Sequence, residues 1–93
     1  MTVEIRIPPA LRSFTGGADE IQVDAANVRD AIDALEAKHG GIKERICGPD
    51  GKVLRFVNLF VGEDDIRMLD GLDSELSNGQ TLSIIPAMAG GSF

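Results

Sequence analysis

Two strand patterns, one amphipathic helix and a further series of strand signals, in that order within 93 residues, predict an α+β fold. In it a single helix lies across a mixed sheet of four or five strands. Three observations carry the prediction: apolar residues alternate with polar ones near the N-terminus, they recur at helical spacing after Asn27, and they run almost unbroken over residues 56–61.

Val3, Ile5 and Ile7 alternate with Glu4 and Arg6, so a half-buried first strand is expected, stopped by Pro8-Pro9. Gly16-Gly17 supplies a turn, and Ile21 and Val23 then alternate with Glu20, Gln22 and Asp24 as a second strand hairpinned to the first. Asn27 offers an N-cap oxygen, and Val28, Ala31, Ile32 and Leu35 follow at helical spacing up to Gly40-Gly41, opposite Arg29, Asp30, Asp33, Glu36 and Lys38. Residues 42–52 hold Gly48, Pro49, Asp50 and Gly51 and read as a surface loop. Phe56-Val57-Asn58-Leu59-Phe60-Val61 is the strongest strand signal and predicts the centre of the sheet. Turns are expected at residues 62–65, at Asp70-Gly71 and at Asn78-Gly79, with a short edge strand over residues 66–69 and a last strand over residues 81–85. This order is that of a β-grasp domain over residues 1–86, followed by a tail over residues 87–93 in which nothing favours regular structure.

The chain is long enough for one core but short for a core plus a deep active site, so chemistry completed by a partner is expected. Nine basic residues against fifteen acidic ones give a net charge of −6, which repels a phosphate backbone and argues against nucleic acid. No apolar run approaches the roughly 20 residues that span a bilayer, and the first residues lack the features of a signal peptide, so no membrane partner and a cytoplasmic location are expected. Cys47 has no second cysteine to pair with, and one His39 makes a zinc site within the chain implausible. Cys47 reads as an incidental thiol, His39 as a helix-end residue and Glu63-Asp64-Asp65 as a solvated turn without calcium-loop spacing.

Three stretches resemble the ubiquitin-like sulfur-carrier proteins: the small subunit of molybdopterin synthase, the thiamine sulfur carrier and the cysteine-biosynthesis carriers. They are Ile7-Pro8-Pro9-Ala10-Leu11-Arg12 with Thr15-Gly16-Gly17, then Arg55-Phe56-Val57-Asn58-Leu59-Phe60-Val61 with Asp64-Asp65-Ile66-Arg67, and finally Ile84-Ile85-Pro86-Ala87-Met88-Ala89-Gly90-Gly91. The middle stretch leans toward the cysteine-type carriers. The resemblance implies a protein substrate rather than an enzyme. An adenylating enzyme of the ubiquitin-activating kind binds ATP and activates the Gly91 carboxylate, sulfur replaces AMP to give a Gly91 thiocarboxylate, and a biosynthetic enzyme accepts the sulfur. Cysteine or homocysteine synthesis is read as the destination ahead of thioquinoline-type siderophores and molybdopterin.

Gly90-Gly91 suits threading because, without a Cβ, a narrow channel can close around the backbone; with Ala89 it forms the part that enters a partner. From Ala87 to Gly91 an extended chain reaches at most about 18 Å at roughly 3.3–3.6 Å per residue. The sequence departs from the family in continuing through Ser92 and Phe93, which leaves Gly91 without a free carboxylate. Related carriers with short extensions are trimmed by a zinc metallopeptidase, which places cleavage between Gly91 and Ser92; a vector-derived remnant is the competing reading. Phe56 and Phe60, with Met88 at the root of the tail, are candidates for an apolar surface that docks the adenylating enzyme, against the alternative that both rings are covered within the monomer. A ubiquitin-like modifier joined through Gly91 to lysines is the rival function, and a binding module with an idle tail is a third.

Overall fold

In the computed structural model, which describes residues 1–86, the chain opens with strand β1, Thr2–Arg6, whose side chains alternate as expected: Val3 and Ile5 are buried while Thr2 and Arg6 are exposed. Strand β2, Glu20–Asp24, pairs antiparallel with it, Val3 opposite Val23 and Ile5 opposite Ile21. The connection is not the simple glycine hairpin that the sequence suggests. A seven-residue 3-10 helix, Pro9–Thr15, fills it, started by a proline at a position that needs no N–H. The buried Thr15 hydroxyl donates to the Ala18 carbonyl at 2.8 Å, and Gly16 and Gly17, at φ 66° and 91°, turn the chain into β2.

Helix α1, Val28–Lys38, begins where Asn27 accepts the Asp30 N–H at 2.8 Å, and it buries Val28, Ala31, Ile32 and Leu35 against the sheet. The segment after it corrects the expectation of a surface loop: Ile42, Ile46 and Cys47 are all buried, around a 3-10 turn at Lys43–Arg45. Ile42 and Ile46 flank that turn and both face the core, whereas the residues with turn chemistry begin only at Gly48. Glu36 ties the segment to the helix, its two carboxylate oxygens accepting the N–H groups of Gly41 at 2.9 Å and Lys43 at 2.8 Å. These two backbone donors hold the Glu36 carboxyl below the usual carboxylate range.

A group whose folded pKa is depressed stabilises the fold above its ordinary pKa, and that contribution disappears as pH falls through the lower folded value. The thermal stability of the wild type should therefore drop more than that of Glu36→Gln between about pH 6 and about pH 3. Melting curves of the two proteins over that range check this, and a constant gap between them would count against the assigned bonds.

Strand β3, Val57–Val61, forms a tight two-residue turn at Gly62, φ 63°, and Glu63, and returns as the two-residue strand β4, Asp64–Asp65. An edge strand over residues 66–69 is absent; a 3-10 turn, Ile66–Met68, stands there, capped by the Asp65 side chain, which accepts the Arg67 N–H at 2.8 Å. Strand β5, Thr81–Pro86, is antiparallel to β3 and parallel to β1, so the sheet order is β2-β1-β5-β3-β4. The middle of the sheet is therefore β5 and not the more apolar β3. Strand β3 still buries Val57, Leu59 and Val61 under α1, and with Leu82 and Ile84 of β5 these make the floor of the core.

Candidate functional site

The residues to which the sequence assigns the chemistry and the threading, Ala89, Gly90, Gly91 and Ser92, lie outside the described residues, as does Met88. The structure defines where that segment starts: Pro86 ends the middle strand, with its Cα opposite that of Val57. Strand β5 is paired on both sides up to Ser83 and with β3 alone from there to Pro86, so the root of the tail is tied to the start of β3.

The sheet has one face under α1 and one open face. Because side chains alternate, Asn58 and Phe60 project to the open face, as do Ser83 and Ile85 opposite them. Phe56 lies in the turn before β3 and is 52% exposed, Ile85 is 46% exposed, and Phe60 is half-buried. Of the two rings singled out from the sequence, Phe56 is thus the more available. The sequence places Ile85 in the last strand but not on a surface, because only the register against β3 reveals that it stands opposite Asn58; alternation with the core residues Leu82 and Ile84 is the available signal.

A polar clamp borders the apolar half of this face. Arg67 Nη2 donates to Asp65 Oδ2 at 2.6 Å and to Asn58 Oδ1 at 2.7 Å, and Asp65 lies opposite Phe60 across β3 and β4. The Arg67 guanidinium, with its backbone N–H, holds the Asp65 carboxyl below its ordinary range. Toward β1 and β2 the open face turns polar, carrying Glu4, Arg6, Gln22 and Asp24. On the open face the apolar residues Phe60 and Ile85 therefore lie on the β3–β5 half, from which the tail departs, while Met1, Met68 and Leu69 are exposed elsewhere.

Cys47 is buried, and burial pushes its thiol pKa up although Lys43 acts in the opposite direction. A thiol in that state is a poor nucleophile at neutral pH. His39 closes α1 through its backbone N–H to the Leu35 carbonyl at 2.8 Å. Among the described residues no group of His, Cys, Asp or Glu side chains is placed to hold a metal ion, and no helix is long and apolar enough to cross a membrane.

The profile of the ThiS family matches residues 5–91. The sulfur carrier protein CysO of Mycobacterium tuberculosis is 39% identical over 93 residues, an alignment that covers 98% of this chain and all of that protein. The crystal structure of the Amycolatopsis orientalis BexX/CysO complex contains a chain of the same fold, with a TM-score of 0.88 and 40% identity over 91% of this chain and 94% of that one. Small archaeal modifier protein 3 of Haloferax volcanii is 35% identical over 68 residues, 73% of each chain.

Proposed function

The chain belongs to the ThiS family of ubiquitin-like sulfur carriers, and on that premise we propose that it carries sulfur as a thiocarboxylate on Gly91 once Ser92 and Phe93 have been removed. The observation that supports this most directly is where the family match ends: it runs to residue 91, the second glycine, and stops before Ser92.

Three steps follow from the chemistry. A zinc peptidase hydrolyses the Gly91–Ser92 bond, its metal polarising the Gly91 carbonyl and supplying hydroxide, and this leaves a free Gly91 carboxylate and a Ser-Phe dipeptide. The carboxylate attacks the α-phosphate of ATP on the adenylating enzyme and displaces pyrophosphate. Sulfide then adds to the mixed anhydride, AMP leaves, and the thiocarboxylate that remains is a soft nucleophile at the end of a tether. The chain supplies the tail and its docking surface, and its partners supply metal, ATP and sulfur. Cysteine or homocysteine synthesis is the acceptor process proposed first, on the likeness to CysO.

The matched form ending at Gly91, incubated with ATP, sulfide and its adenylating enzyme, should gain the mass difference between sulfur and oxygen. The likeness to an archaeal modifier protein favours one second reading, conjugation through Gly91 to lysines. Lysine conjugates formed without any thiocarboxylate would replace the sulfur reading by that one.

We assign docking of the adenylating enzyme to the exposed Phe56 and Ile85 and to Phe60 of β3, and, from the sequence alone, to Met88. Phe56→Asp combined with Ile85→Asp should lower kcat/KM for adenylation by about tenfold to a hundredfold, since each buried apolar side chain contributes roughly 1.5–3 kcal/mol when covered and these two are only half available. Both positions are exposed, so the melting temperature should change little. Unaltered adenylation by the double variant would remove this face from the docking surface.

A further inference from the structure

On the other side of β3 from β5 lies a pocket of about 380 Å³, lined on its apolar side by Leu54, Val57, Leu59 and Leu72. Its rim carries Arg29, Lys52, Arg55 and Arg67, four of the nine cations in a chain of net charge −6. Arg29 is paired with Asp73 and Arg67 with Asp65, but Lys52 and Arg55 have no charged or hydrogen-bonding side-chain partner among the described residues. Every other Lys and Arg is engaged: Arg6 and Lys43 by carboxylates, Arg12 and Lys38 by backbone carbonyls, and Arg45 by the Phe14 ring. The two unengaged cations of the described fold therefore stand on one apolar pocket.

We propose that this pocket docks an apolar side chain that a partner protein presents between carboxylates. An acidic segment is repelled by most of this surface and attracted to this rim, so charge selects both the partner's composition and its place. The apolar lining supplies the burial that charge alone does not. Position supports the same occupant. Val57 lines the pocket and its Cα partner is Pro86, about 4.8 Å away across one strand spacing, so a protein that takes hold of the chain beyond Pro86 has its own surface beside the mouth. The proposal goes beyond the chemistry at Gly91: the selection by charge stands apart from that reading, and the placement of the partner beyond Pro86 rests on it.

The test is a titration of isotopically labelled protein with a capped acidic peptide carrying a central Leu-Phe pair, and with the same peptide bearing lysines in place of the carboxylates, followed by amide chemical shifts. The acidic peptide should move the resonances of Leu54, Arg55, Val57 and Leu72, with an affinity that falls as salt is raised, and the basic peptide should not. Lys52→Glu combined with Arg55→Glu should weaken the acidic peptide by about tenfold or more and confer binding of the basic one, a reversal that an unfolded variant does not produce. Equal responses to both peptides, no response to either, or shifts centred on Phe56 and Ile85 would overturn the proposal. Shifts at the pocket that grow with protein concentration alone would overturn it in favour of a second copy of this chain.

Discussion

The full-length chain is expected to gain no sulfur when incubated with ATP, sulfide and its adenylating enzyme, whereas the form ending at Gly91 is expected to be converted. In the full-length chain the Gly91 carbonyl is part of the amide to Ser92, and an amide oxygen neither displaces pyrophosphate nor leaves a site for sulfide to replace. Removing Gly91 as well restores a terminal carboxylate, but on Gly90, where an extended chain stops about 3.3–3.6 Å short. A displacement of about 1 Å from a productive geometry already costs on the order of a hundredfold, so the Gly90-ended form should be slower by at least that factor. Intact mass after reaction of the three forms decides the matter. Sulfur on the untrimmed terminus would refute the masking role of Ser92 and Phe93, and equal rates for the Gly90- and Gly91-ended forms would refute the assignment of the reacting carbonyl.

Leu82→Ala is expected to cost about 2–5 kcal/mol of stability, the range found when a fully buried leucine is cut back to a methyl group. Leu82 is fully buried in the middle strand, opposite Ile5 on one side and Val61 on the other, so the cavity it leaves is bounded by close-packed core side chains anchored on paired strands. Against a total of about 5–15 kcal/mol for a domain of this kind, such a loss leaves a measurable unfolded fraction in the lower part of that range. Ile85→Ala, three residues along the same strand but 46% exposed, should cost about 1 kcal/mol or less. Urea midpoints of the two variants with unchanged slopes check the contrast, and similar losses at both positions would contradict the assignment of faces in β5.

The elements whose evidence is local were legible in the sequence. The alternation of Val3 and Ile5 with polar neighbours and the Asn27 cap with Val28, Ala31, Ile32 and Leu35 behind it stand in the structure as the pattern implies, and the turn expected over residues 62–65 is formed by Gly62 and Glu63 while Asp64–Asp65 pairs as β4. Periodicity reports which face of an element is apolar, and it does so whatever the element packs against. The Gly90-Gly91 pair is likewise read from contiguous residues, through the family resemblance, and lies outside the described residues. The stretch after α1 reads as a loop because Gly48, Pro49, Asp50 and Gly51 dominate it, while Ile42 and Ile46, buried in the structure, are too few to display a period.

Strand order has no such local signature. The run over residues 56–61 carries more apolar side chains than residues 81–85, yet β5 takes the middle because it alone pairs with both β1 and β3, and the choice of pairing partner is made between residues far apart in the chain. The sequence by itself determined the strand and helix periods, the cap, the tight turn and the composition of the tail, since these rest on backbone preference and side-chain spacing within one segment. Only the folded chain sets Ile85 opposite Asn58, brings Arg67 to Asn58, and gathers Arg29 of α1, Arg55 and Leu72 around one pocket. Those juxtapositions depend on strand register and loop closure, which bring together residues that no spacing along the chain relates.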